Sequence, residues 1–441
     1  MKSVFKPAFI ALVSLLAAAC VDAKVYDISE FGAVGDGITD NTAAINAAVR
    51  ECAGCGGGVV LVPKGEYVTG TVYLKPKVCL KIVKGATLVG SANLDAYGSY
   101  IPSKDMSRYD SGVGSSNQNC VSDARWCRAL IVACGADGAS VTGGGRIDAG
   151  HIEDPLGEEG MRGPHTVIVA ESRNVKIDNL TIERASNYAV LAYEIENCHF
   201  RNLLINEGWD GIHIRGAKNS SITNCSMCTG DDCIAGGYWE NFTIANCSLN
   251  SSCNGIRMIM PSENLKIENC SFYGPGKYPH RTSSSKGGNM LYAISLEPGG
   301  WGAAPGELSG IVIRNCSTDN VLSPLSVTLQ DDNHCKDILV ENCSASNIYR
   351  MALSVKSWGT ASTESVTLRN CTLQFDGIDD PELPETMKNL PFDRWPFFPS
   401  WGAYFRNVEK VSIENCTFCL KGRDYREKII CDNVGEINDF D

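Results

Sequence analysis

The sequence predicts an all-β protein folded as a parallel β-helix, from a recurring phrase, its period and its flanking residues. In each copy of the phrase a β-rich triplet is followed by Asn and then by Cys or Leu. The repeated asparagines are Asn179, Asn202, Asn224, Asn246, Asn269, Asn315, Asn342, Asn370 and Asn415. Their spacing begins at 23, 22, 22 and 23 residues and later becomes one or two periods with loops inserted. A period this short, flanked by β-branched residues, is typical of a solenoid whose coils bury a shared core.

The repeat also predicts the domain organisation. Length alone allows two or three domains in 441 residues, but a solenoid grows by adding coils and needs no second core. We therefore expect residues 24–441 to form a single β-helix domain. Residues 97–130 and 375–402 do not fit the period, and we expect them to be loops that project on one face and help to build a site.

A helix is predicted before the first coils, from about Asn41 to Cys52. Its apolar face consists of Ala44, Ile45, Ala48, Val49 and Cys52. A helix here would cap the N-terminal end of the solenoid, where the hydrophobic core is otherwise open to water.

Residues 1–23 resemble an export signal. Lys2 and Lys6 precede an apolar stretch, and Val-Asp-Ala before Lys24 is typical of a cleavage site. A lipoprotein signal is the alternative, because Leu-Ala-Ala-Ala precedes Cys20, which would then carry a lipid anchor. No later run is long and apolar enough to span a bilayer. We expect a secreted or periplasmic protein, with a membrane-anchored lipoprotein as the alternative.

The charge and the cysteines exclude some classes of partner and cofactor. A net charge of −12 argues against nucleic acid, which requires a basic surface. Seven of the 21 cysteines share one position of the coil and are expected to stack as buried apolar side chains: Cys225, Cys247, Cys270, Cys316, Cys343, Cys371 and Cys416. No cysteine spacing resembles a structural zinc site.

Two disulfides are predicted among the remaining cysteines, Cys120 with Cys127 and Cys233 with Cys253 on the next coil. Several repeated asparagines also match the Asn-x-Ser/Thr glycosylation pattern. We favour instead an inward-facing asparagine ladder that satisfies backbone groups at the turns.

The repeat supplies a register that aligns six strands on one inward column. The column consists of Ile212, Ile234, Ile256, Ile294, Leu325 and Leu353. Because side chains alternate faces along a strand, the residues one and three positions after the column face outward. Two positions before the column stand Asp210, Asp232 and Asn254, and Asp231 directly precedes Asp232.

Three aspartates are thus predicted to meet at one corner of adjacent coils, which lie about 4.8 Å apart. Carboxylates so close raise at least one pKa, as a general acid beside a general base requires. An alternative is that Asp-Asp and Asp-Gly simply form turns, which is how we interpret Asp331 and Asp332. A calcium site is a further alternative, since clustered carboxylates bind hard cations.

Several segments resemble the polygalacturonases, glycoside hydrolase family 28. The resemblance rests on GDGITDNTAAINAAV, GGVVLVPKGEYVTG, LKPKVCLKIVKGATLVGS, TGGGRIDAG and TGDDCIA. It implies a right-handed parallel β-helix of the pectin-lyase-like type and hydrolysis with inversion. By the same resemblance Asp231 is the acid, while Asp210 and Asp232 hold the attacking water.

The chain departs from this family where the substrate is recognised. The Asn-Thr-Asp, Gly-His-Gly and Arg-Ile-Lys motifs are replaced by 208–210 (Gly-Trp-Asp), 253–255 (Cys-Asn-Gly) and 295–297 (Ser-Leu-Glu). In the family the Arg and Lys bind a galacturonate carboxylate, which Glu297 would repel. Arg257, one coil earlier, is a partial substitute. We therefore expect a substrate other than plain polygalacturonate.

The predicted substrate-binding residues are His213, Asn254, Arg257, Glu297 and Trp301. They lie on the outward face beside the aspartates or on the coil that recognises substrate in the family. No metal and no cofactor are expected.

The sequence thus predicts a monomeric, secreted, inverting glycoside hydrolase that acts on a plant or algal polysaccharide or oligosaccharide. One alternative is a polysaccharide lyase of the same fold, which would need calcium. The other is a non-catalytic carbohydrate-binding β-helix, suggested by the missing family histidine.

Overall fold

The structure is a computed structural model that describes residues 24–110, 119–282, 288–390 and 396–440. The predicted signal, including Cys20, lies outside these residues. The α-helices are α1 (Thr42–Gly54) and α2 (Leu383–Asn389), and short 3₁₀ helices span Ile28–Phe31, Leu94–Ala96, Ser107–Tyr109 and Glu158–Gly160. In the described ranges no helix is long and apolar enough to cross a membrane.

Nearly all other regular structure consists of short strands. They span Val25–Asp27, Asp36–Asp40, Gly58–Val62, Gly65–Thr69, Val72–Tyr73, Val78–Ile82, Ala86–Gly90, Ala129–Cys134, Ser140–Thr142, Arg146–Asp148, His165–Ala170, Lys176–Glu183, Val190–Glu196, His199–Asn206, Ile212–Lys218, Ser221–Thr223, Ser226–Thr229, Ile234–Ala245, Ser248–Ser251, Ile256–Met258, Ser262–Glu268, Ser271–Tyr273, Tyr292–Leu296, Gly306–Leu308, Ile311–Arg314, Ser317–Asp319, Ser323–Leu329, Asn333–Glu341, Ser344–Ile348, Leu353–Ser357, Thr363–Arg369, Thr372–Asp376, Ser400–Glu414, Thr417–Lys421 and Glu427–Phe440.

Each strand pairs in parallel with the strand one coil away, which confirms the predicted parallel β-helix. The chain passes in turn through three columns of strands. One coil, for example, runs from Ile212–Lys218 through Ser221–Thr223 to Ser226–Thr229. The inward side chains of all three columns form one continuous hydrophobic core, because alternate residues of each strand point inside.

The predicted register is confirmed strand by strand. Ile212, Ile234, Ile256 and Ile294 are direct neighbours in the first column, and Leu325 continues it. The outward neighbours are therefore His213, Ala235, Arg257, Ser295, Ser326 and Ser354. We call this side of the first column the site face.

The asparagine ladder exists, but the prediction that it faces inward is wrong. The repeated asparagines are exposed, and they adopt left-handed φ values of 51–56° at a corner of the coil. Their amides bond to one another, as from Asn315 Nδ2 to Asn269 Oδ1 (3.2 Å) and from Asn342 Nδ2 to Asn315 Oδ1 (3.2 Å). Asn is used because it tolerates the left-handed region better than other non-glycine residues.

We expect Asn269→Ala to lower the free energy of unfolding by about 1 kcal/mol, because alanine is strained at positive φ and carries no amide. Asn269→Gly should lower it less, since glycine accepts the conformation and loses only the ladder bond. Denaturant unfolding of both variants tests this. Equal losses for Ala and Gly would show that backbone conformation does not select the asparagine.

The cysteine stack is confirmed, whereas the two predicted disulfides are wrong. The stacked cysteines are buried except for half-buried Cys416, and each thiol lies 3.2–3.4 Å from the carbonyl two residues earlier. Cys120, Cys127 and Cys233 are thiols. Cys233 cannot reach Cys253 because its side chain points into the main core, where Sγ lies 3.3 Å from Asn250 O. Cys127 Sγ instead bonds Val121 O at 3.2 Å.

Helix α1 agrees with the predicted helix to within two residues. Ile45, Ala48, Val49 and Cys52 are buried on it and join the main core. That this helix serves as the cap of the first coil stays a prediction.

The two predicted insertions both pack on the site face, one on each side of the aspartates. Tyr100, Tyr109 and Trp126 of the first insertion bury Leu191 and Tyr193 in a second hydrophobic cluster. From the second insertion, Phe398 packs with Ala352 and Tyr404. The two insertions therefore cover parts of the site face on either side of the aspartates.

Candidate active site

The three aspartates meet in one pocket on the site face. Asp210 precedes the strand Ile212–Lys218, and Asp231 and Asp232 precede the strand of the next coil. The lining of the pocket consists of Arg162, Tyr188, Asp210, His213, Asp231, Asp232, Ala235, Arg257, Ile259 and Trp301. The predicted convergence of the carboxylates is therefore observed.

Two side chains from outside the repeat, those of Arg162 and His280, contact the carboxylate of Asp231. Its Oδ2 accepts a hydrogen bond from Arg162 Nη2 at 3.0 Å and lies 3.2 Å from His280 Nε2. Its Oδ1 accepts from the backbone N–H of Asp232 at 3.0 Å. The side chain of Asp231 is 13% exposed, against 5% for Asp210 and 5% for Asp232, so it is the carboxylate that a ligand in the pocket meets first.

Arg162 belongs to a buried group of charges. Its Nε lies 2.9 Å from Glu159 Oε2 and 3.8 Å from Glu158 Oε2, and its guanidinium lies 4.0 Å from the ring centre of Trp209. Burial raises the pKa of Glu158, and the charge of Arg162 opposes that rise. Arg162 therefore has three carboxylates within 4 Å and compensates their charge in part.

Asp210 is paired with a histidine that the structure identifies as neutral. His213 Nδ1 lies 2.7 Å from Asp210 Oδ2, while His213 Nε2 accepts a hydrogen bond from Arg215 Nε at 3.1 Å. Since Nε2 is an acceptor, Nδ1 carries the proton and donates it to Asp210. Burial lowers the pKa of His213 well below its ordinary value, and Arg215 lowers it further. Tyr188 stacks on the imidazole with ring centres 4.7 Å apart.

The pKa of Asp210 lies well above its ordinary value. Burial is the largest cause, and the adjacent charges of Asp231 and Asp232 add to it. Burial and these neighbouring charges therefore favour the protonated form of Asp210.

Asp232 is fixed by the predicted Asn254. Asn254 Nδ2 donates to Asp232 Oδ1 at 2.7 Å, and Asn254 Oδ1 accepts from the backbone N–H of Tyr292 at 3.2 Å. Asn254 is buried and lies behind Asp232, so it orients the carboxylate. Its predicted role as a substrate contact stays a prediction.

Of the other predicted binding residues, His213, Arg257 and Trp301 line the pocket, while Glu297 contacts it only through Arg257. Arg257 Nε donates to Glu297 Oε1 at 2.5 Å, and its guanidinium lies 5.3 Å from the ring centre of Trp301. Arg257 Nη1 is 4.0 Å from Asp232 Oδ2. Because Glu297 and Asp232 already compensate its charge, Arg257 offers little net charge to an acidic sugar.

The residues most able to hold a metal ion are Asp231, Asp232 and Cys253, whose ligand atoms lie within 4.8 Å of one another. Arg162 at 3.0 Å from Asp231 Oδ2 already supplies a positive charge there. A hard divalent cation prefers oxygen ligands, which a thiol does not provide.

Sequence reasoning missed Arg162, His280 and Tyr188. Arg162 lies before the first asparagine phrase, where there is no strand register. Tyr188 lies level with Asp210 one coil earlier, because Val190 pairs with Ile212, so extending the inward column by one coil would have found it. His280 lies in the insertion that doubles the spacing between Asn269 and Asn315, and that doubled spacing marked an insertion next to the aspartate coils.

Comparison with known families agrees with this architecture. Residues 165–278 match the family described as right handed beta helix region. Residues 25–125 match the family described as rhamnogalacturonase A/epimerase, pectate lyase-like.

Two curated relatives are named as galacturonan-degrading enzymes. An exo-poly-alpha-D-galacturonosidase of Dickeya chrysanthemi is 28% identical over 253 residues, 48% of this chain and 41% of that protein. An exopolygalacturonase of Arabidopsis thaliana is 24% identical over 365 residues, 79% of this chain and 71% of that protein. The chain thus spans less than half of the first relative.

Solved structures show the same fold. An exopolygalacturonase from Thermotoga maritima aligns with a TM-score of 0.65 at 17% identity, covering 90% of this chain and 92% of that one. The A-module of the mannuronan C-5 epimerase AlgE4 from Azotobacter vinelandii aligns at 0.57 and 12% identity, covering 92% and 100%. The matches confirm the resemblance to polygalacturonases, while the second structure shows that the fold alone does not decide the chemistry.

Proposed function

We propose that this divergent polygalacturonase-like protein is an inverting glycoside hydrolase that acts on a plant or algal polysaccharide or its oligosaccharides. The observation that carries the proposal is the meeting of Asp210, Asp231 and Asp232 in one pocket, with the pKa of Asp210 raised. A protonated carboxyl beside ionised ones is what acid–base hydrolysis of a glycosidic bond requires.

The proposed roles follow exposure and hydrogen bonding. Asp231, the most exposed of the three, protonates the leaving oxygen, and Asp210 and Asp232 hold the attacking water. Arg162 favours the ionised form of Asp231, but Glu158 and Glu159 lie 3.8 and 2.9 Å from Arg162 Nε and compensate part of its positive charge. In the proposed reaction this compensation allows Asp231 to carry a proton. Asp210 is the proposed resting position of that proton.

The first insertion, which covers the site face on the N-terminal side of the pocket, supports attack at a chain end. On the N-terminal side of the pocket, Leu191 and Tyr193 are covered by Tyr109 and other residues of the first insertion. Arg215 Nη1 donates to Tyr109 O at 2.6 Å, which ties that cover to the aspartate coil. A polymer cannot continue past this wall, so we propose that the enzyme removes short products from one end.

The substrate differs from plain polygalacturonate in this proposal. The family's cation pair is replaced by Arg257 and Glu297, which bond each other. His213 and Trp301 line the pocket together with Arg257 and are the remaining proposed contacts to the sugar. The reaction is proposed to need neither metal nor cofactor.

We also propose that residues 24–441 act as one secreted or periplasmic domain, with a lipid anchor at Cys20 as the alternative, and that the protein is a monomer. A lyase of the same fold remains the second candidate, because the fold is shared with an epimerase module. A non-catalytic glycan-binding protein is the third.

Incubation with a panel of polysaccharides, followed by proton NMR of the first products, tests the proposal. We expect immediate release of the inverted anomer of a mono- or disaccharide, without added metal. An unsaturated product that absorbs in the ultraviolet and requires calcium would establish the lyase. Binding without turnover on every glycan would establish the third candidate, and long internal fragments would contradict attack at a chain end.

A further inference from the structure

Lys356 is a buried lysine on the site face that the proposed reaction does not use. Among the lysines in the described ranges it is the only buried one, with 6% of its surface exposed. It lies on the strand Leu353–Ser357, two residues after Ser354. Buried lysines are rare, because an ammonium group loses its hydration unless a partner replaces the water.

The ammonium of Lys356 has hydroxyl partners and an aromatic neighbour. Nζ donates to Ser326 Oγ at 3.1 Å and to Ser354 Oγ at 3.1 Å, and it lies 5.1 Å from the ring centre of Phe398. No carboxylate of the described residues lies within 4 Å of it. Of its three donor hydrogens, two therefore have acceptors in the part of the chain that the structure describes, and one has none.

The side chain points along the site face toward the aspartates. Ser326 belongs to the preceding coil, and its neighbour one coil further back is Ser295, which pairs with Arg257. Along the same row the neighbour of Lys356 is Thr328, and the next residue is Glu297, two coil steps or about 10 Å away. The coil of Asp232 lies two steps further on, about 19 Å from Lys356. That distance corresponds to a position beyond the cleaved bond on a glycan lying on the face.

We propose that Lys356, with the hydroxyls of Ser326 and Ser354, forms a subsite that binds an anionic substituent of the glycan, a carboxylate or a sulfate ester. The inference rests on the proposed function, since it places the glycan along the site face from the aspartates. An anion there would accept the unused donor of Nζ and the hydroxyl of Ser326, whereas Ser354 Oγ donates to Ser326 Oγ at 3.4 Å. Burial makes such a contact strong.

The proposed subsite would let the protein bind an acidic glycan although Arg257 and Glu297 replace the two cations that bind a carboxylate in the polygalacturonases. Arg257 is bonded to Glu297, whereas Lys356 has only neutral acceptors. Burial lowers the pKa of Lys356 to about 7, and Glu297 partly opposes this, so a bound anion would favour the charged form of the lysine. Acidic residues on the substrate are thus expected four coils from the aspartates that cleave the bond, rather than beside them.

Binding measured in an Asp231→Asn background tests the subsite independently of turnover. Isothermal titration would use three probes: trigalacturonate, a sulfated galactan trisaccharide and a neutral galactan trisaccharide. We expect the parent to prefer one of the acidic probes, and Lys356→Met to weaken that binding about tenfold or more. Whichever acidic probe loses affinity identifies carboxylate or sulfate as the ligand.

Lys336→Met is the matched control, because Lys336 is exposed and lies away from the pocket. Its Nζ pairs with Glu307 Oε1 at 2.7 Å. It removes the same charge and should leave all three affinities unchanged. Ser326→Ala, which retains the lysine, should weaken the acidic probe to a smaller degree. Equal affinities of the parent and Lys356→Met for every probe, or no binding of either acidic probe by the parent, would overturn the subsite. Absence of hydrolysis on any glycan would count against the proposed reaction but not against this binding result.

Discussion

Replacing Asp231 by Asn is expected to lower kcat on the natural glycan by about 10³-fold, because general acid catalysis contributes about 10²–10⁴. The fold should survive, since an amide fills the same space and its one oxygen still accepts a hydrogen bond from either Arg162 or the backbone of Asp232. Initial rates and a thermal melt of the same preparation measure both.

Asp332→Asn is the control for this substitution. Asp331 and Asp332 repeat the Asp-Asp sequence, but the structure confirms that they form a turn, where Asp331 Oδ1 accepts from the backbone N–H of Thr360 at 2.6 Å. This variant should keep full activity. A large loss there, or full activity of Asp231→Asn, would remove the aspartate cluster from the mechanism.

A change of leaving group separates the proposed acid from the base. On an aryl glycoside with an acidic phenol, departure needs no protonation, so Asp231→Asn should lose much less activity than on the natural glycan. Asp232→Asn should lose about as much on both substrates, because water must still be activated. If Asp210→Asn rather than Asp231→Asn is rescued, the acid is Asp210, whose raised pKa favours its protonated form.

The repeat predicted the parts of the site that lie within it. The inward column of isoleucines fixed which side chains share a face, and parallel pairing then brought Asp210, Asp231 and Asp232 together as expected. His213 and Arg257 were placed correctly for the same reason. Residues one period apart in the sequence are neighbours on adjacent coils, so their contacts can be predicted without knowing the conformation of the loops.

The repeat could not predict contacts from segments that interrupt it. Arg162 and His280 reach Asp231 from stretches without a register, so nothing in the spacing indicates their direction. The disulfide between Cys233 and Cys253 was predicted from adjacent coils alone, but adjacency does not tell whether two side chains point to the same face. The inward asparagine ladder was wrong because a polar residue at a corner satisfies its amide on the outside, next to its own neighbours.

Removing the charge of Arg162 is expected to lower the free energy of unfolding and to change how both stability and activity depend on pH. Arg162→Met would leave Glu158, whose side chain is fully buried, and Asp231 without their shared cation. Breaking a buried ion pair from one side costs about 3–5 kcal/mol. Denaturant unfolding at several pH values measures the loss.

The sign of the pH effect on stability follows from Glu158. Its pKa is already raised in the folded protein by burial, with Arg162 in opposition, and the substitution would raise it further. A carboxyl whose folded pKa exceeds its unfolded one binds more protons when folded, so stability falls as the pH rises above about 4.3. The deficit of Arg162→Met should therefore be larger at pH 8 than at pH 5, and a deficit independent of pH would contradict this.

The same substitution should move the alkaline limb of the pH–rate profile to higher pH. Arg162 opposes the rise in the pKa of Asp210 and bonds Asp231 directly, so its loss favours the protonated form of the cluster on which the acid step depends. Arg162→Lys, which keeps the charge, should restore most of the original profile.

Arg281→Met is the matched control, since Arg281 stacks near Trp209 at 5.7 Å but pairs with Glu153 instead of the aspartates. If Arg281→Met shifts the limb as far as Arg162→Met does, long-range charge explains the effect, and the direct contact between Arg162 and Asp231 does not tune the acid.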